Sequence, residues 1–206
     1  MEDTATTLLA LGAATLGESG GLPMHPRISA AWPGARLAAP AYAVTCTPAD
    51  NLAVHAAVVA APPGTALVVA VEPPERGYWG EVLTTAAEAR GLLGLVIDGG
   101  VRDVAALEAH AFPVFSALIA LRGAVKVSGG EIGGTAVVGD VAVKTGDWVV
   151  GDRDGVTVVP AAELHDVIER GRARADKENV MFSKLRDGAT TIDLLGLDTG
   201  SVRRPG

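Results

Sequence analysis

The chain has 206 residues, of which 49% are hydrophobic and only 4% aromatic, so it is long enough for one domain whose core is built from valine, alanine and leucine. Its formal net charge is -7, which argues against a general nucleic-acid-binding protein because phosphate recognition requires a concentrated basic surface. The single cysteine, Cys46, excludes an internal disulfide framework and a thiolate zinc cluster.

The sequence has no feature of a targeting segment or a membrane span. Glu2 and Asp3 are acidic where a signal peptide is basic, and no apolar run approaches the roughly 20 residues that cross a bilayer. We therefore expect a soluble protein of the cytoplasm that neither enters a membrane nor binds nucleic acid.

The N-terminal third of the chain predicts an alternation of helices and strands. Pro40 lies inside one predicted strand and indicates an edge position or a bulge, because proline cannot donate a ladder hydrogen bond. Asp50 or Asn51 caps the helix that follows this strand. The predicted elements are helix 4–16, an irregular connection to residue 34, strand 36–47, a helix from the cap to about residue 60, and strand 66–71.

Residues 78–103 contain the strongest indication of chemistry. Glycines and changes in apolar spacing divide this segment into a short helix and a buried strand, and two opposite charges follow the strand. The elements are, in order, a helix that begins at Gly80 and Glu81 and ends at Gly91, strand 92–97, a turn at Asp98-Gly99-Gly100, and the pair Arg102 and Asp103.

The strand of this segment can return to the start of the helix and bring two kinds of binding group together. The first amides of a helix are unpaired donors at the positive end of its dipole and bind carboxylates or phosphates. Arg102 offers a fork for a substrate carboxylate, and Asp103 offers a hard oxygen for Mg²⁺ or Mn²⁺. An anion-plus-metal site is one interpretation. A helix cap beside a surface ion pair is the other, and spacing alone leaves both open.

The second half of the sequence is rich in predicted strands. Short branched runs over residues 122–160 are separated by Gly or Lys-Thr-Gly turns, which is typical of a meander of strands. Asp152 and Asp154 flank Arg153 there and fit either an acidic metal loop or a tight turn between strands. The whole predicts one α/β domain with a mixed sheet. The other predicted elements are helix 104–109, strand 113–115, helix 161–179 and a tail over 185–206.

Several segments between about Asn51 and Leu197 together resemble one family. They are GEVLTTAAEARGLLGLVIDGGVRD, FPVF, RGAVK, GEIGG, GDWVVGDRDGVTVVP and LRDGATTIDLLGL. The most specific feature is an acidic residue, twenty intervening residues and then Arg-Asp, which Glu81, Arg102 and Asp103 provide. The sequence resembles the RraA-like family, which includes class II 4-hydroxy-4-methyl-2-oxoglutarate and 4-carboxy-4-hydroxy-2-oxoadipate aldolases with oxaloacetate decarboxylase activity.

The resemblance implies a layered α/β/β domain of the RraA-like type, similar to a swivelling phosphohistidine domain, with mixed sheets. One such domain would span residues 1–206, with an N-terminal helix and a C-terminal helix plus tail. The family also implies a homotrimer or hexamer with active sites between subunits, and a small 2-oxo acid as substrate.

Carried over position by position, the resemblance also assigns roles to individual groups. Asp103 would bind Mg²⁺ or Mn²⁺, and Arg102 would hold the oxo-acid end of the substrate and take part in catalysis. Glu81 would hold the water that is bound to the metal or carries the proton. The other implied contributions are Gly80 in the substrate-binding turn, the backbone amides of Val82 and Leu83 for the pyruvyl carboxylate, and Glu178 reaching in from a neighbouring subunit.

The implied reaction is cleavage of a carbon–carbon bond beside a 2-oxo acid, with the divalent ion as the electron sink for the forming pyruvate enolate. Glu81 stands where these aldolases commonly have aspartate, and Ala106 where they have an acidic residue three positions after the metal-binding aspartate. Because decarboxylation needs no base for a 4-hydroxyl proton, we expect it to be more robust than aldol cleavage here.

Two other functions remain as alternatives. Some relatives with incomplete motifs act as protein regulators of an RNA-degrading endonuclease, which implies a non-catalytic binding protein. A methyltransferase is the other alternative, and it is disfavoured because no strand leads into a G-x-G-x-x-G turn.

Overall fold

A mixed β-sheet lies at the centre of the protein. The computed structural model describes residues 3–203; residues 1, 2 and 204–206, which belong to the predicted domain and its predicted tail, lie outside the described residues. In the described part, the main sheet has the strand order β1-β12-β11-β3-β4-β6-β7-β2, with β5 paired to β6 and β8 paired to β3, and β9 and β10 form a separate hairpin.

The bounds of these elements follow. The helices are α1 (Thr4–Glu18), α2 (Leu52–Ala60), α3 (Glu81–Ala89), α4 (Val104–Ala109), α5 (Leu164–Arg186) and α6 (Thr191–Leu195), and a 3₁₀ turn (Ala161–Glu163) precedes α5. The strands are β1 (Leu22–Pro23), β2 (Ser29–Ala30), β3 (Leu37–Cys46), β4 (Ala66–Ala70), β5 (Gly77–Trp79), β6 (Gly94–Val101), β7 (Val114–Ile119), β8 (Gly130–Ile132), β9 (Thr135–Val138), β10 (Val141–Lys144), β11 (Trp148–Asp152) and β12 (Gly155–Val159).

Strand β3 joins an antiparallel part of the sheet to a parallel part. Its first residues, 37–40, pair antiparallel with β11, and its next residues, 41–45, pair parallel with β4. At Pro40 itself β3 is paired with β11 alone, so the expected edge position is confirmed locally, although β3 lies inside the sheet. Pairing with β4 begins only at Ala41, so the missing N–H of Pro40 interrupts no bond to that strand.

The turn expected at Asp98-Gly99-Gly100 is also wrong, because β6 continues through these residues to Val101. The two glycines are needed for close packing. A Cβ atom at Gly99 would overlap the side chain of Val71, and one at Gly100 would lie 2.5 Å from the carbonyl oxygen of Arg76. As a result, Arg102 and Asp103 directly follow the carboxyl end of a long central strand.

Several other boundaries differ from the sequence prediction. Helix α5 continues beyond the predicted end at residue 179 as far as Arg186, because residues 180–186 include Met, Lys, Leu and Arg, which are good helix formers. The expected tail contains a further short helix, α6. Residues 123–127, the first branched run of the predicted meander, are irregular and form no strand. The predicted strand at 113–115 extends, as β7, to Ile119.

Asp152 has a structural role that decides between its two interpretations. The backbone of α1 breaks at Gly12, where φ is 80°, and the amide of Ala13 donates to Asp152 Oδ2 at 2.8 Å. The amide of Asp154 donates to the other Asp152 carboxylate oxygen at 2.9 Å in the hairpin between β11 and β12. Asp152 therefore holds a tight turn and the broken helix in place.

The core is layered because β4 and β6 point alternate side chains to opposite faces. Leu67, Val69 and Leu95 belong to a buried cluster that α2, α3 and α4 cover. Val68 and Val96 belong to the cluster on the other face, which the β9–β10 hairpin covers. This arrangement of helices, sheet and hairpin is the layered α/β/β fold with a mixed sheet that we expected.

An ion-pair network attaches the β9–β10 hairpin to the sheet. Arg27 donates to both carboxylate oxygens of Asp98 on β6, at 2.9 and 2.7 Å, and to Asp140 in the hairpin turn at 2.7 Å. The amide of Gly139 also donates to Asp98, at 2.9 Å. The hydrogen bonds from Arg27 hold the pKa of Asp98 below its ordinary value, against the opposing effect of burial.

Among residues 3–203, no helix combines the length and the apolar character that crossing a bilayer requires.

Candidate active site

A cavity of about 230 Å³ lies where the start of α3 meets the ends of β5 and β6. It is smaller than the roughly 300–1,000 Å³ of pockets for drug-sized ligands, so it suits a small molecule. Five residues singled out from the sequence line it: Gly80, Val82, Leu83, Arg102 and Asp103.

Arg102 and Asp103 lie side by side at the carboxyl end of β6. The amide of Arg102 donates to the carbonyl oxygen of Trp79 at 2.9 Å, which anchors this end of the strand beside β5. Arg102 Nε lies 3.7 Å from Asp103 Oδ2, and the two side chains are 45% and 43% exposed. Both charged groups are thus within reach of a ligand in the cavity.

Asp103 connects the end of β6 to the start of α3. Its backbone is left-handed, with φ 57°, a conformation that aspartate tolerates better than most residues. Its Oδ2 accepts a hydrogen bond from the amide of Glu81 at 3.1 Å. Asp103 therefore caps α3, as one interpretation of the sequence expected, and it also faces the cavity, as the other interpretation required.

The absence of a side chain at Gly80 allows the carboxylate of Asp103 to lie against the start of α3. Its backbone is extended, with φ −168°, so the conformation itself does not require glycine. A Cβ atom at this position, however, would overlap the carboxylate of Asp103 and lie 3.1 Å from Arg102 Cγ. The absence of a side chain at Gly80 leaves the room that both charged residues occupy.

The start of α3 also presents free amide groups to the cavity. The amide of Thr84 makes the first intrahelical bond, to the carbonyl oxygen of Gly80 at 3.1 Å, so the three preceding amides have no intrahelical acceptor. Asp103 accepts from the amide of Glu81, which leaves those of Val82 and Leu83. These two amides, at the positive end of the helix, can bind a carboxylate.

Glu81 lies beside the cavity and is not one of its lining residues. Its side chain is 56% exposed, and its Oε1 is 3.9 Å from His110 Nε2 on the neighbouring helix end. His110 in turn contacts Glu88 through Nδ1, at 2.8 Å. The structure thus orients the Glu81 carboxylate along the surface between α3 and α4.

Glu178 is not brought to the cavity within this chain. It lies on α5, where its Oε1 is 2.9 Å from Arg174 Nε. Arg174 also forms an ion pair with Glu18 at the end of α1.

The other lining residues, which we had not singled out as site residues, include Asn51, His55 and Lys126. Asn51 Nδ2 donates to the carbonyl oxygen of Tyr78 at 2.8 Å, which ties the start of α2 to β5. Burial, together with the charge of Lys126, lowers the pKa of His55, which favours its neutral form. Asn51 and His55 are four residues apart and therefore share one face of the helix. This spacing is the sequence signal that could have identified them as neighbours in one site.

The donor groups fit Mg²⁺ or Mn²⁺ better than a metal ion that is enclosed entirely by protein side chains. In the described part of the chain, no group of three or more His, Cys, Asp or Glu side chains could hold a metal ion, so a closed zinc site does not fit. Mg²⁺ usually keeps several waters and takes one or two carboxylates plus substrate oxygens, and Mn²⁺ prefers similar ligands. The partly exposed carboxylate of Asp103 suits that kind of binding.

The layered fold and this cavity define the class of the protein: an α/β/β domain with a small cavity at the start of one helix. A family model described as RraA-like: Aldolase/RraA matches residues 11–158, which is more than half of the chain. The chain therefore belongs to the RraA-like family, as its sequence motifs had indicated.

Individual relatives give a finer picture. The chain is 34% identical over 152 residues, 69% of its length and 72% of the relative's, to a protein of Halalkalibacterium halodurans whose name assigns it provisionally as a 4-hydroxy-4-methyl-2-oxoglutarate aldolase. A crystal structure from Pseudomonas syringae pv. tomato is similar with a TM-score of 0.82 and 26% identity, covering 91% of this chain and 90% of that one.

A third relative has a different described role. The structure of Streptomyces coelicolor RraAS2, described as an unusual member of the RNase ES inhibitor RraA protein family, is similar with a TM-score of 0.73 and 23% identity, covering 88% of this chain and 95% of that one. At this identity the likeness concerns the fold alone.

Proposed function

We propose that this chain is a divalent-metal-dependent lyase that breaks a carbon–carbon bond beside a 2-oxo acid. Its reactions would be decarboxylation of oxaloacetate and retro-aldol cleavage of 4-hydroxy-2-oxo dicarboxylates, with pyruvate as a shared product. Family membership and the name of the H. halodurans relative support the aldolase class.

One observation carries the proposal. Arg102, Asp103, Val82 and Leu83 line a single small cavity, so a guanidinium, a carboxylate and the first residues of a helix lie at the same space. These groups match the reacting part of a 2-oxo acid, because the amides would bind its carboxylate while Arg102 and a divalent cation held by Asp103 would act at the adjacent carbonyl oxygen.

The residues of the chain would hold the substrate in one orientation. The amides of Val82 and Leu83 would bind the substrate carboxylate, and Arg102 would add a fixed positive charge at the oxygen where negative charge develops. Asp103 would hold the divalent cation, which supplies Lewis-acid chemistry to the 2-oxo group when bound. Gly80 keeps Asp103 close to the helix start.

Glu81 would handle protons at the edge of the cavity. Its carboxylate is exposed beside the helix start, so a water between it and the substrate could deliver the proton that the departing pyruvate carbon needs. Decarboxylation requires no base to begin, whereas aldol cleavage requires removal of the 4-hydroxyl proton. We therefore propose oxaloacetate decarboxylation as the stronger of the two activities.

The oligomer forms a second part of the proposal. We propose a homotrimer or hexamer of the cytoplasm in which Glu178 of one chain completes the cavity of its neighbour. The position of Glu178 on the long helix α5, away from the cavity of its own chain, supports such an exchange.

A non-catalytic binding protein is the second candidate, and Ala106 favours it. Ala106 lies on the first turn of α4 after Asp103, and it provides no acid or base where the family's aldolases have an acidic residue. The S. coelicolor structure, which has the same fold, is described as an unusual member of an RNase inhibitor family, and this description supports regulation as the second candidate.

The test is the release of pyruvate from oxaloacetate by purified protein with Mg²⁺, measured through NADH oxidation by lactate dehydrogenase. Spontaneous decarboxylation is subtracted with Asp103→Asn protein, which keeps the size of the side chain and removes its charge. We expect a chelator to abolish the excess rate and Arg102→Lys to lose about tenfold or more, because a point charge cannot replace the guanidinium fork. Equal rates for the native protein and Asp103→Asn would refute the proposal.

A further inference from the structure

The loop formed by residues 123–128 closes the cavity on the side of α2, and it is held more firmly than its irregular backbone suggests. The amide of Val125 donates to the carbonyl oxygen of Ala49 at 3.0 Å, and the carbonyl oxygen of Val125 accepts from the amide of Asn51 at 2.9 Å. Gly123, at the other end of the loop, lies beside the guanidinium of Arg102. The loop thus spans the cavity from Arg102 to the start of α2.

A single buried carboxylate fixes the centre of this loop. Asp50 is 1% exposed, and its Oδ2 accepts from the amides of Val127 and Ser128 at 2.6 and 2.7 Å. Its Oδ1 accepts from the amide of Leu52 at 2.7 Å. Although burial opposes ionisation, these three backbone donors hold the pKa of Asp50 below its ordinary value.

Lys126 is the residue that these bonds position. It lies between Val125 and Val127, both of which are tied to the segment 49–51, and it lines the cavity. Its charge contributes to lowering the pKa of both Asp50 and His55, which agrees with a location beside the start of α2. A lysine on a free loop would be spread over many positions, whereas this backbone is restrained on both sides.

The cavity therefore has a cationic side chain on each of two walls. Arg102 stands at the end of β6 beside Asp103, and Lys126 stands on the loop that packs against α2. Among the described residues these are the two lysine or arginine side chains that line the cavity. A ligand with one carboxylate needs only one of these two cationic side chains, so the second cation matches a ligand with a second carboxylate.

We propose that Lys126 binds the distal carboxylate of a dicarboxylic 2-oxo acid and is the residue that makes the site prefer such acids over monocarboxylates. Asp50 is the positioning residue that holds the Lys126 loop against the cavity. The inference rests on the proposed function, since it takes the 2-oxo acid end of the substrate to lie at Arg102 and Asp103.

The test compares two competitive inhibitors of equal chain length, 2-oxoglutarate and 2-oxopentanoate, which differ only in the terminal carboxylate. Inhibition of oxaloacetate decarboxylation and direct binding by calorimetry with Mg²⁺ are both measured. Native protein should bind 2-oxoglutarate about fivefold more tightly, which is the upper scale of one ion pair at an exposed site. Lys126→Met should abolish that preference and leave the affinity for 2-oxopentanoate unchanged.

Three further variants separate recognition from folding. Lys126→Arg should retain most of the preference, because it keeps the charge. Lys144→Met, a change of an exposed lysine on the β9–β10 hairpin, should behave like the native protein. Asp50→Asn should weaken 2-oxoglutarate more than 2-oxopentanoate, because a loosened loop displaces Lys126 and not Arg102, and a thermal melt checks that it is folded.

The possible results are distinguishable. Native protein that releases no pyruvate and binds neither acid in the presence of Mg²⁺ overturns the proposed function and this inference together, whereas active protein that binds neither acid overturns the inference alone. Native protein that is active but binds both acids equally, or a Lys126→Met variant that weakens both by the same factor, overturns the inference and leaves the lyase assignment in place.

Discussion

Substituting Gly80 by alanine tests the central geometry of the site with one methyl group. The new Cβ atom would overlap the carboxylate of Asp103, so that carboxylate must move away from the helix start. The move breaks its 3.1 Å hydrogen bond from the amide of Glu81. Because the backbone at Gly80 is extended, alanine causes no conformational strain of its own, and the effect arises from its contacts with the Asp103 carboxylate and with Arg102 Cγ.

The magnitude follows from that one bond. A hydrogen bond to a charged group contributes about 1.5–3 kcal/mol, and Asp103 is 43% exposed, so the lower end of the range applies. Since roughly 1.4 kcal/mol corresponds to a factor of ten, we expect about tenfold weaker Mn²⁺ binding and a similar loss of kcat/KM. Replacing glycine by alanine also restricts the unfolded chain, which increases the free energy of unfolding by about 0.4–1 kcal/mol. This gain offsets part of the lost hydrogen bond, so the free energy of unfolding should change by less than about 1 kcal/mol.

The assay is Mn²⁺ binding followed by electron paramagnetic resonance, with pyruvate release from oxaloacetate as the second readout and urea unfolding as the stability check. Gly134→Ala is the matched control, because nothing lies within 4 Å of a Cβ atom at that position. Native Mn²⁺ affinity and native turnover in Gly80→Ala would refute the argument that the place of Asp103 against α3 matters to the site.

Three other predictions concern stability and reactivity. The hydrogen bonds from Arg27 lower the pKa of Asp98, so its carboxylate adds stability above the unfolded pKa of about 3.9, and this stability is lost as the pH falls below that value. Between about pH 5 and pH 3, the urea midpoint of native protein should therefore fall more than that of Asp98→Asn. Equal pH dependence of the two midpoints would contradict this. Burial raises the pKa of Cys46 to about 12, so a thiol reagent should label it only after unfolding, and rapid labelling of folded protein would disprove its burial. Gly151→Ala should cost about 1–3 kcal/mol of unfolding free energy, because its Cβ atom would lie 2.6 Å from the buried ring of Phe115; an unchanged urea midpoint would show that the ring can move aside.

Much of the site could be predicted because its parts are local in sequence. The start of α3 at Glu81 and the span of α4 follow from glycine positions and apolar spacing. The proximity of Arg102 to that helix start follows from a strand that returns beside it. Helix starts and buried strands depend on neighbouring residues, and their signals are therefore present in any short window of sequence.

The parts that could not be predicted depend on contacts between distant segments. Gly99 and Gly100 suggested a turn, yet they continue a strand because Val71 and Arg76 pack against them. Pro40 suggested an edge, and the structure shows that this edge is local, at the residue where a central strand changes its pairing partner.

The sequence by itself determined which chemical groups this protein possesses and which family it belongs to. Only the tertiary structure decided that the carboxylate of Asp103 both caps α3 and faces a cavity, that Glu81 turns toward His110, and that Lys126 lines the same cavity as Arg102. The physical reason is that local patterns set helix and strand formation, whereas the direction of a charged side chain is set by packing against residues far away in the chain, such as Asp50 and the loop it holds.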